Sequence, residues 1–364
     1  MNILTYIILA FSILGGLDRI FNNRFGLGRE FEKGFILFGD MALSMIGMII
    51  IAPVIADMLR PFLSVISNLL HIDPSVIPAA LFANDMGGAS LSAEVAENEL
   101  LGLYNGLVVS SMMGCTISFT IPVALSMVRE ENHKELLQGI LCGIVSIPVG
   151  CLVSGIICKV PIVTLAVNIL PLIIFSGLIA VGLMRCPNVC VKIFGCIGYV
   201  IKVIITVGLV LGIIKFLSGY ELISGLETIE TGAGICMNAT IVMTGAFPFM
   251  FVLSKLLSKP IKKLSRIMGI NENSTMGFVS SLATSITTFG MMDKMDKKGI
   301  MMNSAFAVPA AFTVAGHLAF TVAFDKTFVI PVIVGKLTAG VLAIFVSSFV
   351  WKKLNKNTNR ERQD

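Results

Sequence analysis

The residue of this sequence with the clearest chemical potential is an acid inside an otherwise apolar stretch. It lies in the run Asn84-Asp85-Met86-Gly87-Gly88. A carboxylate held among apolar residues is costly without a partner, and its natural ligand is a cation. Gly87 and Gly88 permit a sharp chain reversal at the same point. The motif predicts a cation-binding turn, and a second role for Asp85, capping the N-terminus of a short helix, is compatible with it.

A second polar cluster carries hydroxyl groups and no charge. It comprises Thr284, Ser285, Thr287 and Thr288, again with apolar residues before and after it. A hydroxyl oxygen can accept a hydrogen bond from an ammonium, and its O–H can donate to another oxygen. The alternative for each residue is a hydrogen bond from its hydroxyl back to a helix carbonyl.

Polar residues in the apolar runs that follow complete the predicted binding set. His317 is the only histidine in a predicted membrane span, and it fits either a proton relay or a neutral hydrogen-bonding strut. Lys336 interrupts the last apolar run, where it pairs with a buried acid or lines the path. The predicted substrate-binding residues are Asn84, Asp85, Met86, Gly87, Gly88, Thr116, Ser118, Thr284, Ser285, Thr287, Thr288, Asn303, Thr313 and His317.

The composition indicates a chain that is solvated mostly by lipid. Of its 364 residues, 55% are hydrophobic and 13% are charged, and the mean hydropathy is +0.91. Soluble domains contain about 25% charged residues, so a soluble enzyme, a nucleic-acid-binding protein and a disulfide scaffold are excluded. The sequence has no GxxxxGK[ST] loop and no HExxH motif, so no catalytic residue, metal ligand or cofactor is predicted.

Apolar runs of about 20 residues predict nine transmembrane helices. They cover residues 2–16, 35–57, 101–128, 136–158, 162–184, 191–217, 234–253, 300–324 and 328–351. Two further apolar stretches, 74–94 and 273–295, are interrupted at mid-length by the two polar clusters. Each of these stretches either crosses the bilayer or dips into it and returns as a helical hairpin.

The distribution of Lys and Arg distinguishes between these alternatives. If both interrupted stretches are re-entrant hairpins, nearly all basic residues of the loops fall on one side of the membrane. If both stretches cross, this bias mostly vanishes. The positive-inside rule therefore favours hairpins, and it predicts an external N-terminus and a cytoplasmic C-terminus with a basic tail at 352–364.

Internal similarity predicts an inverted repeat. Residues 83–95 align without gaps on 283–295, so the two interruptions coincide. An odd number of predicted crossings separates the hairpins, so they enter from opposite faces, as is typical of secondary transporters that bind substrate near the midplane. We expect an all-α polytopic membrane protein with about nine transmembrane helices plus two re-entrant helical hairpins. They form one transmembrane transport domain, 1–351, with repeats at about 30–128 and 228–325.

Several motifs resemble those of a known membrane family. They are NDMGG at 84–88, SMMG at 111–114, SFTIPVAL at 118–125, FGMM at 289–292, NSAFAV at 303–308 and VGKL at 334–337. Together they resemble the ethanolamine-utilisation membrane permease family, in order and from the first predicted span to about Trp351. The resemblance implies alternating-access uptake of ethanolamine across a bacterial cytoplasmic membrane. The family has an acid directly before the position of His317, where this chain has Gly316, so Asp85 becomes the main candidate for the anionic partner.

Ethanolamine and membrane lipid are the predicted partners, with no nucleic acid. GxxxG spacings at Gly139/Gly143 and Gly208/Gly212 allow close helix approach and a homo-oligomer. The main alternative is an ion-coupled transporter of another small polar solute such as a nucleoside, since hairpin-bearing inverted repeats serve such substrates too.

Overall fold

A computed structural model describes residues 3–256, 263 and 265–360 of the chain. All long regular elements of these residues are helices. The helices are α1 Ile3–Ile20, α2 Leu27–Ile36, α3 Phe38–Leu70, α4 Val76–Leu81, α5 Gly88–Val95, α6 Glu99–Met127, α7 His133–Ile157, α8 Ile162–Arg185, α9 Pro187–Ser218, α10 Ile229–Leu256, α11 Glu272–Ala283, α12 Ser285–Gly290, α13 Lys297–Ala310, α14 Gly316–Phe324 and α15 Val329–Arg360. Residues 361–364 of the predicted basic tail lie outside the described residues.

Seven helical segments of the described residues are long and apolar enough to cross a membrane, which makes the chain a multi-pass membrane protein. They are Leu27–Leu70, Glu99–Met127, Glu130–Ile157, Ile162–Arg185, Pro187–Ser218, Ile229–Leu256 and Lys326–Leu354. Each coincides with one of the nine spans predicted from the sequence. α8 and α9 leave many large apolar side chains exposed, as expected of helices that face lipid.

The other two predicted spans differ from the expectation. The first, 2–16, corresponds to α1, whose 18 residues end at Ile20. The second, 300–324, is not one helix, because the chain unwinds at 311–315 between α13 and α14. The unwound backbone is stabilised by another element: Phe312 N–H donates to Ser281 O at 3.0 Å, and Val314 N–H donates to Leu282 O at 2.9 Å.

The first interrupted stretch folds back on itself. α4 and α5 are joined by residues 82–87, and Ser92 Oγ near the end of α5 donates to Ser75 O just before α4 at 3.0 Å. The carboxylate of Asp73 accepts from the backbone N–H groups of Glu97 and Asn98 at 3.2 and 3.0 Å. Both ends of this stretch, the first hairpin, therefore lie together, and residues 82–87 form its tip.

The second interrupted stretch closes in the same way. Asp296 Oδ1 accepts from Asn271 N–H at 2.8 Å and from Ser274 Oγ at 2.7 Å. The Asn271 side chain donates to Lys294 O at 2.9 Å. The beginning of α11 thus lies beside the segment that precedes α13, and the break at Thr284 forms the tip of this second hairpin.

The central helix α6 holds the first hairpin in place. It is the most buried of the seven segments and is π-helical over Asn105–Gly114 and Thr116–Thr120. Gly114 lies directly against the backbone carbonyl of Phe82, where a Cβ atom would overlap that oxygen. The absence of a side chain at this position allows the tip to lie against α6.

Candidate solute-binding site

The tip of the first hairpin carries polar groups that the protein leaves without partners. Asn84 is fully buried, and neither the oxygen nor the nitrogen of its side-chain amide has a hydrogen-bond partner among the residues that the structure describes. Asp85 is half-buried. The residue before α5 is Gly87, and no side chain caps that helix, so Asp85 does not have the capping role considered above. Buried polar groups are normally hydrogen-bonded, so this tip is built to meet something other than protein.

Neighbouring residues fix the shape of this tip. Gly87 has a φ of 111°, a conformation that favours glycine, and Gly88 N–H donates to Ala83 O at 2.8 Å. Ser118 Oγ accepts from Ala83 N–H at 3.1 Å and donates to Gly114 O at 2.8 Å. The side chain of Ser118 therefore supports the backbone of the tip at Ala83. The contact of Ser118 with substrate, predicted from the sequence, stays a prediction.

At the second tip the four hydroxyl residues divide into two pairs. Thr284 caps α12 by accepting from Ile286 N–H at 3.3 Å, and Thr288 donates to Gly277 O at 3.0 Å. Ser285 is fully buried and its hydroxyl has no hydrogen-bond partner within the described part of the chain, while Thr287 is exposed. Ser285 and Thr287 are thus the hydroxyls available to a ligand.

The unwound segment 311–315 links the second tip to His317. Phe312 has a φ of 61°, a left-handed conformation that costs a non-glycine residue about 1–3 kcal/mol. Its ring packs against His317 with centroids 5.1 Å apart and against Phe119 of α6 with centroids 5.6 Å apart. Phe312, the strained residue, thus lies between His317 and α6.

A buried lysine lies beside His317. Lys336 is fully buried, and its ammonium donates to Ser111 O at 2.6 Å and to His317 Nδ1 at 3.1 Å. Because Nδ1 of His317 accepts this bond, the ring proton belongs on Nε2. Asp85 lies within electrostatic range of Lys336. The sequence placed Lys336 outside the binding set, although a lysine inside a long apolar run is itself a signal of a buried functional group.

The remaining predicted residues have structural partners. Thr116 donates to Met112 O at 2.6 Å, and Thr313 donates to Ala310 O at 2.7 Å. Asn303 donates from Nδ2 to Ser274 O at 2.7 Å, at the base of the second hairpin. These three residues donate to backbone carbonyls, while the buried Oδ1 of Asn303 has no partner among the described residues. Their contact with substrate stays a prediction.

A cavity of about 620 Å³ opens at the second tip. Thr284 and Thr287 line it on one side, and Phe312 and Gly316 line it beside the unwound segment. Most of its other wall belongs to α2 and α10, including the ion-paired residues of α2, which are Glu30 and Lys33. Its lining is mainly apolar and does not include Asp85, so the acid of the first tip lies outside this cavity.

Comparison with known proteins identifies the family. A family model described as "Ethanolamine utilisation protein, EutH" matches residues 1–350. The chain belongs to this family. A relative in Listeria monocytogenes, named probable ethanolamine permease EutH, is 40% identical over 362 residues, covering 100% of this chain and 97% of the relative. The probable ethanolamine permease EutH of Escherichia coli is 34% identical over 390 residues, covering 97% of this chain and 96% of the relative.

A third relative, in Bacillus subtilis, carries no functional name. It is named "Uncharacterized protein YxeR" and is 34% identical over 345 residues, covering 95% of this chain and 93% of the relative. No solved structure matches the chain. The motifs singled out in the sequence therefore identified the EutH family correctly.

Two parts of the EutH-family site were not predicted from the sequence. The carbonyl of Ser111 is available to Lys336 because the surrounding helix is π-helical, and no residue type in this run signals a π-helix. The positive φ of Phe312 has no signal in the sequence either, since phenylalanine has no preference for that conformation.

Proposed function

We propose that the protein is a permease that takes up ethanolamine across the cytoplasmic membrane of a bacterium for catabolism. The observation that carries this proposal is the half-buried carboxylate of Asp85 beside the unpartnered amide of Asn84, at the tip of a hairpin inside the helical bundle. Family membership and the permease names of the relatives support the same substrate.

The free polar groups match the chemistry of ethanolamine. Near neutral pH this molecule is mostly a primary ammonium with one hydroxyl, so its site needs one anion and a few oxygens for the N–H donors. We assign the ammonium to Asp85 and to the amide oxygen of Asn84. We assign the hydroxyl of the substrate to Ser285 or Thr287 at the opposite tip.

We further propose that the two hairpins are re-entrant halves of an inverted repeat. The contacts at their bases support this assignment: Asp73 of the first hairpin contacts the backbone of Asn98, and Asn271 of the second contacts Asp296. Asn98 and Asp296 each cap the helix that follows. In the first hairpin the acid, Asp73, lies at the beginning and Asn98 at the end, whereas in the second hairpin Asn271 lies at the beginning and the acid, Asp296, at the end. In both hairpins the carboxylate of the acid accepts from the backbone N–H of the asparagine.

In the proposed transport cycle the hairpins and the helices that follow them move relative to the remaining helices. The cavity at the second tip reaches α2, which follows a loop that the charge distribution predicts to be cytoplasmic. We therefore assign this conformation to the inward-open state. Substrate reaches Asp85 from outside when the core is in the opposite state, and it leaves through this cavity.

The decisive experiment is uptake of labelled ethanolamine into proteoliposomes at low concentration and mildly acidic pH, where leakage of the neutral amine is small. Replacing Asp85 by Asn removes the anionic partner. Hydrogen bonds to a charged group contribute about 1.5–3 kcal/mol, so we expect kcat/KM to fall at least about tenfold and the saturable component to disappear. A matched control is Asp40→Asn, an exposed acid on α3, which keeps parental uptake.

Two results would contradict the proposal. If Asp85→Asn takes up ethanolamine at the parental rate, Asp85 is not the anionic partner of the ammonium. Saturable uptake of labelled nucleoside, with no saturable uptake of ethanolamine, would rule out ethanolamine as the substrate and favour the alternative transporter class.

A further inference from the structure

The buried ammonium of Lys336 has no role in the substrate contacts described above. It donates to Ser111 O and to His317 Nδ1, and neither partner carries a full negative charge. Residues Asn84–Met86 of the first tip contact both elements that hold this ammonium, Asn105–Gly114 of α6 and α14, so Asp85 lies close to it. The titratable groups within electrostatic range of the ammonium are Asp85, Cys115, Cys151 and His317. Asp85 is the one carboxylate in this set, so it is the group that balances the charge of the lysine.

A carrier that binds a cation through a carboxylate has a difficulty when it is empty. With substrate bound, the ammonium neutralises the carboxylate, but after release the carboxylate must return through the membrane interior alone. An unpaired charge at membrane depth is costly. The return step is therefore slow unless another cation accompanies the carboxylate.

We propose that Lys336 is a tethered counter-cation that balances Asp85 in the substrate-free protein and so allows the empty carrier to reorient. This inference rests on the proposed function. It assigns to a side chain of the protein the role that a co-transported ion plays in other carriers, and the empty site is neutral as a result.

The geometry leaves Asp85 free for substrate while Lys336 stays nearby. Lys336 and Asp85 form no direct ion pair among the described residues, because the ammonium is held by Ser111 O and His317 Nδ1. The carboxylate therefore keeps its oxygens for the incoming ammonium. The positive charge of Lys336 balances the carboxylate of Asp85 through space, and such an interaction is strong in an interior of low dielectric constant.

This arrangement determines which step carries charge. The empty site, with Asp85 and Lys336, has no net charge, and the loaded site carries the single positive charge of the substrate. A membrane potential that is negative inside therefore drives the loaded carrier inward and leaves the empty carrier unaffected. Net uptake needs no second ion.

The test compares two processes in the same proteoliposomes. Net uptake into vesicles without internal ethanolamine requires the empty carrier to return, whereas exchange against internal ethanolamine requires only the loaded carrier. For Lys336→Met we expect the ratio of net uptake to exchange to fall at least tenfold. Lys336→Arg keeps the charge and is expected to keep the parental ratio, and Lys215→Met, near the end of α9, is the control for loss of a distant lysine.

The ratio makes each outcome decisive. A parental ratio in Lys336→Met overturns the proposal, whatever the absolute rates, and so does equal loss of both processes in a variant whose thermal stability is unchanged. If Lys336→Met does not fold, Lys336→Gln retains a donor for the carbonyl of Ser111 and gives the same comparison. Failure of the parent protein to exchange ethanolamine would instead refute the proposed function, and with it this inference, which rests on that function.

Discussion

At the scale of single residues, the site is distinguished by hydrogen bonds that are missing. Thr116, Ser118 and Thr288 all have protein partners, although the sequence alone does not distinguish them from Asn84 and Ser285. Asn84 and Ser285 are equally buried and have none. Native proteins leave few buried polar groups unsatisfied. Asn23, Asn105, Ser176 and Asn303 also have a buried polar atom without a partner among the described residues. Asn84 and Ser285 are the two that lie at the hairpin tips, where we propose that a polar ligand binds.

This difference leads to a prediction about substrate affinity. Asn84→Ala and Ser285→Ala each remove a ligand contact but no contact within the protein. A neutral hydrogen bond contributes about 0.5–1.5 kcal/mol, so the KM for ethanolamine should rise about 3–10-fold in each variant while the Tm in detergent is unchanged.

The matched control is Ser118→Ala, which removes a support of the first tip and leaves the N–H of Ala83 without its partner. We expect this variant to lose thermal stability. A fall in Tm for Ser285→Ala as large as that for Ser118→Ala would show that Ser285 is structural.

At the scale of secondary-structure elements, two of the three breaks were predictable from sequence. The glycine pair at 87–88 and the hydroxyl cluster at 284–288 interrupt apolar runs with residues that disfavour a continuous helix. The third break, at 311–315, has no such signal beyond Pro309, because Ala310 and Ala311 are good helix formers. It is stabilised by the carbonyls of Ser281 and Leu282, which are tertiary partners that no local pattern reveals.

Close backbone contact at the first tip predicts an asymmetry between two glycines. At Gly114 a Cβ atom would meet the carbonyl of Phe82, which is backbone and cannot rotate away. At Gly177 of α8 nothing lies within 4 Å. We expect Gly114→Ala to lower the stability by about 1–3 kcal/mol and Gly177→Ala to be neutral or stabilising by up to about 1 kcal/mol.

Thermal unfolding of the two purified variants, with ethanolamine uptake measured in parallel, checks this prediction. Equal Tm values for both variants would mean that the first tip does not lie against α6 in the folded protein.

At the scale of the whole molecule, the composition predicted the fold class. The composition was sufficient to predict a multi-pass membrane protein, and seven predicted spans coincide with long apolar helices. Of the other two predicted spans, 300–324 is broken, which the sequence does not reveal, and α1, Ile3–Ile20, is not among the seven segments. The orientation in the membrane depends on basic residues in loops, and it remains a prediction.

Labelling from one side of the membrane tests this orientation. In a cysteine-free background that retains uptake, Glu131→Cys lies on an exposed loop predicted to be cytoplasmic, and Lys326→Cys lies on an exposed loop predicted to be external. A membrane-impermeant maleimide added to intact cells should modify only Lys326→Cys, and disruption of the cells should make Glu131→Cys reactive. The reverse pattern would invert the proposed direction of the cavity.

The size of the cavity at the second tip has a consequence for dehydration. Ethanolamine has four non-hydrogen atoms, and a space of about 620 Å³ holds it together with many water molecules, at about 30 Å³ each. In the proposed transport cycle the amine is therefore still hydrated in this space, and it exchanges its hydration shell for protein oxygens only when it reaches the tips. Selectivity against larger amines belongs to that desolvation step, so enlarging the cavity should alter the rate of release far more than the choice of substrate.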